Sequence, residues 1–349
     1  MGREVGGDRG AAWERVPVVP ETTETFPAPL APGLRARRLD LDDDRDRVLD
    51  LVRAYDARYV QRPQQTPEEI VADLASSGAD LARDAWLVTD GDRAVGLGWF
   101  TVEDPDPQHP VLWFDVYARP DLPSDAGLEA SLVEAMLARC REEQVPAAEV
   151  AVESGCLRGD DRTDAALRGA GFEHERTFWR MERSLRPAPE DPGAPPAGVT
   201  VRAGPDDAGD RALLHGLFDA ACAEHWGTVP RPEDEWWERL RGGVGLDPSQ
   251  WWVADVDGEP GGFLMGDASR AEDGGGYVRY LGVLERARGR GIAKHLLRLA
   301  FAEQARRGWE WAQLTVDTGN VTGAPALYAS VGMEPVEVID LYRLVLPRA

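Results

Sequence analysis

Three short motifs recur in the same order along this chain, roughly 160–170 residues apart, and this recurrence limits the fold more than any other feature. AWLVTDGDRAVGLGWF (residues 85–100) is matched by WWVADVDGEPGGFLMG (251–266). Each reads as apolar strand, acidic-glycine turn, apolar strand, the pattern of a β-hairpin. VLWFDVYARP (111–120) is matched by YVRYLGVLER (277–286), and each precedes a long amphipathic helix. ALRGAGFE (166–173) is matched by LYASVGME (327–334). One α/β unit is therefore expected twice, with helices and strands mixed around a sheet. The 349 residues suit two domains at ~100–200 residues each. RPAPEDPGAPPAG (186–198) has no hydrophobic period and is predicted to link a unit at 34–185 to one at 199–349. Residues 1–33, rich in Gly, Pro, Glu and Thr, are predicted to be a disordered tail.

Charge narrows the partners. With 39 basic and 62 acidic residues the net charge is −23. A nucleic-acid partner is not expected, because phosphate contacts need a basic surface. The same field attracts cationic ligands such as amines. No apolar run approaches the ~18 residues of a membrane span, and the N-terminus lacks the basic-then-apolar plan of a secretory signal. Three scattered cysteines give neither a disulfide framework nor a CxxC metal site. No metal is expected; a cytoplasmic monomer or weak homodimer is.

The chemistry is concentrated at Arg286-Ala-Arg288-Gly289-Arg290-Gly291, an R-x-x-G-x-G segment between an apolar strand (277–284) and an amphipathic helix (291–307). A strand, glycine loop and helix start in succession make an anion site. The first helical N–H groups lack intrahelical partners, and the helix dipole puts partial positive charge there. Glycine lets a pyrophosphate approach the backbone with no Cβ in the way. Arg286, Arg288 and Arg290 add full charges.

The segment YLGVLERARGRGIAKHLLRLAF resembles the acetyl-CoA motif of GNAT N-acetyltransferases, and LTVDTGNVTGAPALYASVGM resembles their second signature. AACAEHWGTVP together with DPSQWWVADVDGEPGGFLMG is similar to the mycothiol synthase-like tandem group of that family. The resemblance implies two tandem GNAT-type acyltransferase domains, with acetyl-CoA as co-substrate. It places the pantetheine arm along the backbone of Leu281, Gly282 and Val283. Arg288, Gly289, Arg290, Gly291, Ile292 and Ala293 would cradle the pyrophosphate, and Asn320 would contact the cofactor. Tyr328 would give a proton to the departing thiolate, whose thiol has a pKa near 8.5 in water. Relatives often carry a Glu on the strand before the loop, but this strand reads Tyr277-Val-Arg279-Tyr280. Glu224 and His225 are the alternative candidates for the general base.

The first-unit counterpart of the loop, Arg119-Pro-Asp121-Leu-Pro123-Ser-Asp125-Ala-Gly127, keeps one glycine and gains two prolines and two aspartates. Proline removes N–H donors and carboxylates repel phosphate. Leu167 stands where Tyr328 does. The first unit is therefore expected to keep the fold without binding CoA. The function expected is acetyl transfer to a primary amine of a small molecule, such as an aminosugar, by direct attack in a ternary complex. A non-catalytic acyl-CoA-binding regulatory module is the alternative.

Overall fold

The computed structural model describes residues 25–347, except 61–69, 72–73, 75–79, 103–110, 124–125, 146, 190, 205–207, 224–227, 229, 243–244 and 320–322. The first half of the chain gives strand β1 (Leu34–Arg38), helix α1 (Leu41–Tyr59), the short helix α2 (Leu81–Asp84), and strands β2 (Ala85–Asp90), β3 (Arg93–Val102) and β4 (Val111–Ala118). Helix α3 (Leu128–Glu142), β5 (Glu149–Leu157), α4 (Asp161–Gly169) and β6 (Glu173–Ser184) follow. The second half gives β7 (Val199–Ala203), α5 (Ala208–Cys222), α6 (Glu233–Gly242), β8 (Leu246–Val256), β9 (Glu259–Asp267) and β10 (Gly275–Val283). A 3-10 turn (Glu285–Ala287), α7 (Ile292–Arg306), β11 (Trp311–Asp317), α8 (Ala324–Ala329) and β12 (Glu334–Pro347) complete it.

The repeat seen in the sequence recurs in the structure as two similar sets of elements. The two hairpins turn on Gly91 (φ 59°) and on Asp257 and Gly258 (φ 54° and 90°). At the third motif, Phe172 N–H donates to Leu167 O and Met333 N–H donates to Tyr328 O, both at 3.1 Å. Gly171 and Gly332 sit at φ 92° and 81°, the left-handed conformation that ends a helix cheaply only at glycine.

Strand period two sorts the core onto two faces. In β9, Phe263 and Met265 pack with α5 and α6, whereas Leu264 packs against α7. In β3, Leu97 packs with α1, whereas Phe100 packs with α3. Helix α7 buries Ile292, Leu296, Leu297, Ala300 and Phe301, a 3.6-period stripe that anchors the glycine loop at its start. Each large side chain so buried contributes on the order of 2 kcal/mol.

The strands form one twelve-stranded mixed sheet in the order β1-β2-β3-β4-β5-β12-β6-β11-β10-β9-β8-β7. The halves of the sequence are not the halves of this sheet. β6, from the first half, pairs antiparallel with β11, from Trp311↔Ser184 to Asp317↔Phe178. β12, the last strand, pairs antiparallel with β5 on one side and β6 on the other. The boundary expected near residue 185 is thus a boundary in the chain and not in space, because each half gives its last strand to the other.

Parts of the two segments outside the repeated units rest on the fold. Of the tail predicted over 1–33, residues 1–24 lie outside the described residues, but residues 25–33 pack. Phe26 meets Trp86 edge-on at 5.1 Å, and Leu30 lies against the first core. The 186–198 segment runs between the two halves and is docked on the second. Ala197 O accepts from Arg290 at 3.3 Å, and Pro196 lies 3.6 Å from a Cβ built on Gly291. Proline and glycine spacing signals the absence of helix and strand, but it does not report what a segment rests on.

Candidate active site

β10 and β11 run parallel but pair only through Gly275↔Trp311, Gly276↔Ala312 and Tyr277↔Gln313, and then part. The cause lies on the other edge of β10, where a bulge between Val278 and Tyr280 breaks its register with β9 and bends the strand. The Tyr277 hydroxyl and Thr315 Oγ1, 3.1 Å apart, span the start of the opening. Beyond it, Leu281, Gly282 and Val283 pair with β9, and their β11-facing edge has no strand partner among the described residues. Gly282 is needed at this point. A Cβ there would overlap the Phe263 ring and come within 2.7 Å of Ala221 Cβ on α5.

The strand runs directly into the glycine loop. Gly289 (φ 76°) and Gly291 (φ 79°) hold left-handed conformations, and Gly291 caps α7. Nothing lies within 4 Å of a Cβ built on Gly289, so the loop leaves open room for a phosphate. The three arginines are less free than the sequence implied. Arg290 is held by Asp257 at 2.7 Å, which keeps that carboxyl low and the guanidinium high. Arg286 donates to Pro260 O at 2.6 Å and lies 3.8 Å from Glu259. Arg288 is exposed and donates to Val283 O at 3.2 Å, at the loop's entrance. Ile292 is buried in the core while Ala293 lies on the first helical turn. Backbone amides and the helix start therefore supply the concentrated positive potential, with Arg288 nearest in character to a mobile cation.

Tyr328 is buried on α8, with 9% of its surface exposed, and its hydroxyl makes no hydrogen bond among the described residues. Burial, with smaller contributions from Cys222 and Tyr277, pushes the hydroxyl up to about 12, so it holds its proton at neutral pH. The Cys222 thiol is also pushed up to about 12 by burial and Asp219, and a protonated thiol is a poor nucleophile.

Glu224, His225 and Asn320 lie outside the described residues. Within Tyr277–Arg279, the stretch near which the resemblance implies a carboxylate, Arg279 at the bulge donates to Asp267 at 2.7 Å. One contribution to this site had no signal in the sequence. Strand exchange brings β6 to the far wall of the opening, where Arg176 lies 3.5 Å from Asp317 and Thr177 O accepts from Thr318 N–H at 2.9 Å. Four tryptophans near the site divide by burial. Trp236 and Trp251 are core, while Trp237 and Trp252 are part-exposed beside it.

In the first half the counterpart loop is closed by its own side chains. Arg119 is buried, donating to Ala94 O at 2.7 Å and pairing with Asp50, while Asp121 pairs with Arg93. Gly127 (φ 61°) caps α3 as Gly291 caps α7, but Ser131 Oγ in the first turn is bonded to Pro29 O. Leu167 is fully buried.

A parallel strand pair here opens beside a glycine loop and a helix start, an arrangement that can seat a phosphate-bearing ligand. Residues 212–333 match the Acetyltransferase (GNAT) family. It is 31% identical over 187 residues, half of its length, to the mycothiol acetyltransferase of Thermobispora bispora, of which the match covers 59%. Among solved structures, it superposes at a TM-score of 0.76 on a GCN5-related N-acetyltransferase from Sphaerobacter thermophilus. That match is 25% identical and covers 92% of this chain and 98% of the other. A tandem GNAT protein from the clavulanic acid biosynthesis pathway superposes at 0.64 with 18% identity, over 90% of this chain and 99% of the other, and shares the fold. No described helix is long and apolar enough to cross a membrane.

Proposed function

We propose that this protein is an acetyl-CoA-dependent N-acetyltransferase, acting on a primary amine of a small molecule by direct attack in a ternary complex. The observation that carries the reading is the opened β10–β11 pair leading into the Gly289–Gly291 loop. In this reading the amides at the start of α7 hold the pyrophosphate, and the free edge of Leu281, Gly282 and Val283 orients the pantetheine arm. Tyr328 keeps a proton at its hydroxyl for the departing sulfur. Direct attack is favoured over an acyl-enzyme because the thiol of Cys222 is held protonated. Catalysis then rests on positioning and on stabilising the thiolate. The acceptor is a small cationic amine, an aminosugar or a mycothiol-type compound, in keeping with the −23 charge. Glu224 or His225 is its base. The compartment is the cytoplasm, and the first half binds no CoA.

The second reading, an acyl-CoA-binding regulator without turnover, is favoured by one feature: the strand stretch Tyr277-Val-Arg279-Tyr280 carries no carboxylate, and its Arg279 is engaged with Asp267. Thermal denaturation with acetyl-CoA, followed by thiol release against a panel of amines, separates the two. At ~100 times the Kd, acetyl-CoA should add about 2.7 kcal/mol, a shift of a few degrees, to wild type and nothing to Gly291→Glu. Thiol release with an amine supports the transferase. A thermal shift without release across the panel supports the regulator, and no shift at all refutes both.

A further inference from the structure

The first half opens in the same way as the second. β4 and β5 pair in parallel only through Val111↔Ala151, Leu112↔Val152 and Trp113↔Glu153. Past that point the gap is backed by β12 and β6 and roofed by α1, leaving a cavity of about 330 Å³. Its chemistry comes from Asp56, Trp113, Asp115, Tyr117, Arg180 and Glu337.

Arg180, 5% exposed, pairs with Glu337 across the exchanged strands, and the Asp56 carboxyl lines the same cavity. Asp115 accepts from Trp113 Nε1 at 2.8 Å. Asp56 faces the cavity with no hydrogen bond or ion pair of its side chain among the described residues, and burial raises its carboxyl to about 6. The Arg180 Nε–H is also buried without an acceptor. A half-buried carboxylate beside the indole of Trp113 and the ring of Tyr117 is the recognition set for an organic ammonium, through charge and cation–π attraction. An unused guanidinium N–H across the same cavity calls for an oxygen acceptor.

We propose that this cavity is a second ligand site, separate from the acetyl-transfer site, which binds a small organic ammonium carrying a hydroxyl or carbonyl oxygen. The ammonium lies against Asp56 and Trp113, and the oxygen accepts from Arg180. No acetyl transfer takes place there. Leu167 replaces the tyrosine, and the adjoining loop is closed by Arg119 and Asp121. The site owes its back wall to strand exchange, since Arg180 and Glu337 come from β6 and β12.

Isothermal titration of the full chain at pH 7.5 tests the site, with choline as probe and its uncharged isostere 3,3-dimethylbutan-1-ol as control. Choline should bind wild type and Gly291→Glu with the same Kd, and the isostere should bind neither. Asp56→Asn should weaken choline about tenfold, equivalent to ~1.4 kcal/mol. Trp113→Leu, which leaves both carboxyl groups in place, should weaken it about threefold or more. Absence of choline binding, an unchanged Kd in both Asp56→Asn and Trp113→Leu, or loss of binding in Gly291→Glu would each overturn the proposal. None of these results bears on whether acetyl-CoA binds the second half.

Discussion

Tyr328 illustrates how one buried hydroxyl can be separated into a structural and a chemical part. Its ring fills the core between α7 and α8, but its O–H has no partner among the described residues. Tyr328→Phe therefore removes no hydrogen bond among the described residues, and its stability should stay within about 1 kcal/mol of wild type. If the hydroxyl donates to the leaving thiolate, kcat should fall on the order of 10²-fold with the KM for acetyl-CoA little changed. The pH profile supplies an independent check. A hydroxyl pushed up to about 12 is protonated throughout the range below that value, and is lost as donor only when pH rises through it. No alkaline fall in kcat below about pH 11 should come from this group. A kcat equal to wild type in Tyr328→Phe would remove the role. The residue was legible in the sequence through the L-Y-x(3)-G-M pattern. Arg279, Asp267 and Arg176 were not, since their relevance lies in a bulge and in a neighbouring strand.

At the scale of single elements, β10 and the loop behind it carry the site. Gly275 and Gly276 let Trp311 and Gln304 close over the paired end of β10, while the bulge turns the rest away from β11. Gly282 lies in the unpaired stretch, against Phe263 and Ala221. Gly282→Ala should destabilise the fold by roughly 1–3 kcal/mol, because the new methyl group must displace an aromatic ring and a helix. Chemical denaturation would measure it, with the midpoint moving and the slope unchanged. A midpoint equal to wild type would show that α5 yields freely at this contact. Hydrophobic period and turn residues placed these elements in the sequence, because both are local. The bulge was not placed, since it depends on how β10 is gripped by β9 on one side and released by β11 on the other.

The whole molecule is held together by exchanged strands. β12 fills the gap between β5 and β6, and β6 completes the second half beside β11. The pair Arg180–Glu337 lies at this junction, its arginine 5% exposed. Residues 1–185 produced alone would lack the partner of β5, and residues 199–349 alone would lack that of β11, so each would present open strand edges. Each fragment alone is expected to aggregate or to show no cooperative melting, and co-expression should restore a 1:1 complex on gel filtration. A cooperative melt of fragment 199–349 on its own would show that β6 is dispensable to the second half.

What the sequence determined by itself was everything written within a few residues. The doubled unit, the hairpin turns, the amphipathic helices, the glycine loop and its loss in the first half all depend on local period and backbone freedom. The tertiary structure decided which strand lies beside which, because strand pairing joins residues more than a hundred positions apart and many registers satisfy the same alternation. It decided that Arg290 serves Asp257, and that residues 25–33 and 196–197 rest on the fold. It also formed the cavity at Asp56, whose back wall comes from the end of the chain. Charge and hydrogen-bond partners are set by three-dimensional neighbours, and at the Asp56 cavity those neighbours exist only once the two halves have exchanged their last strands.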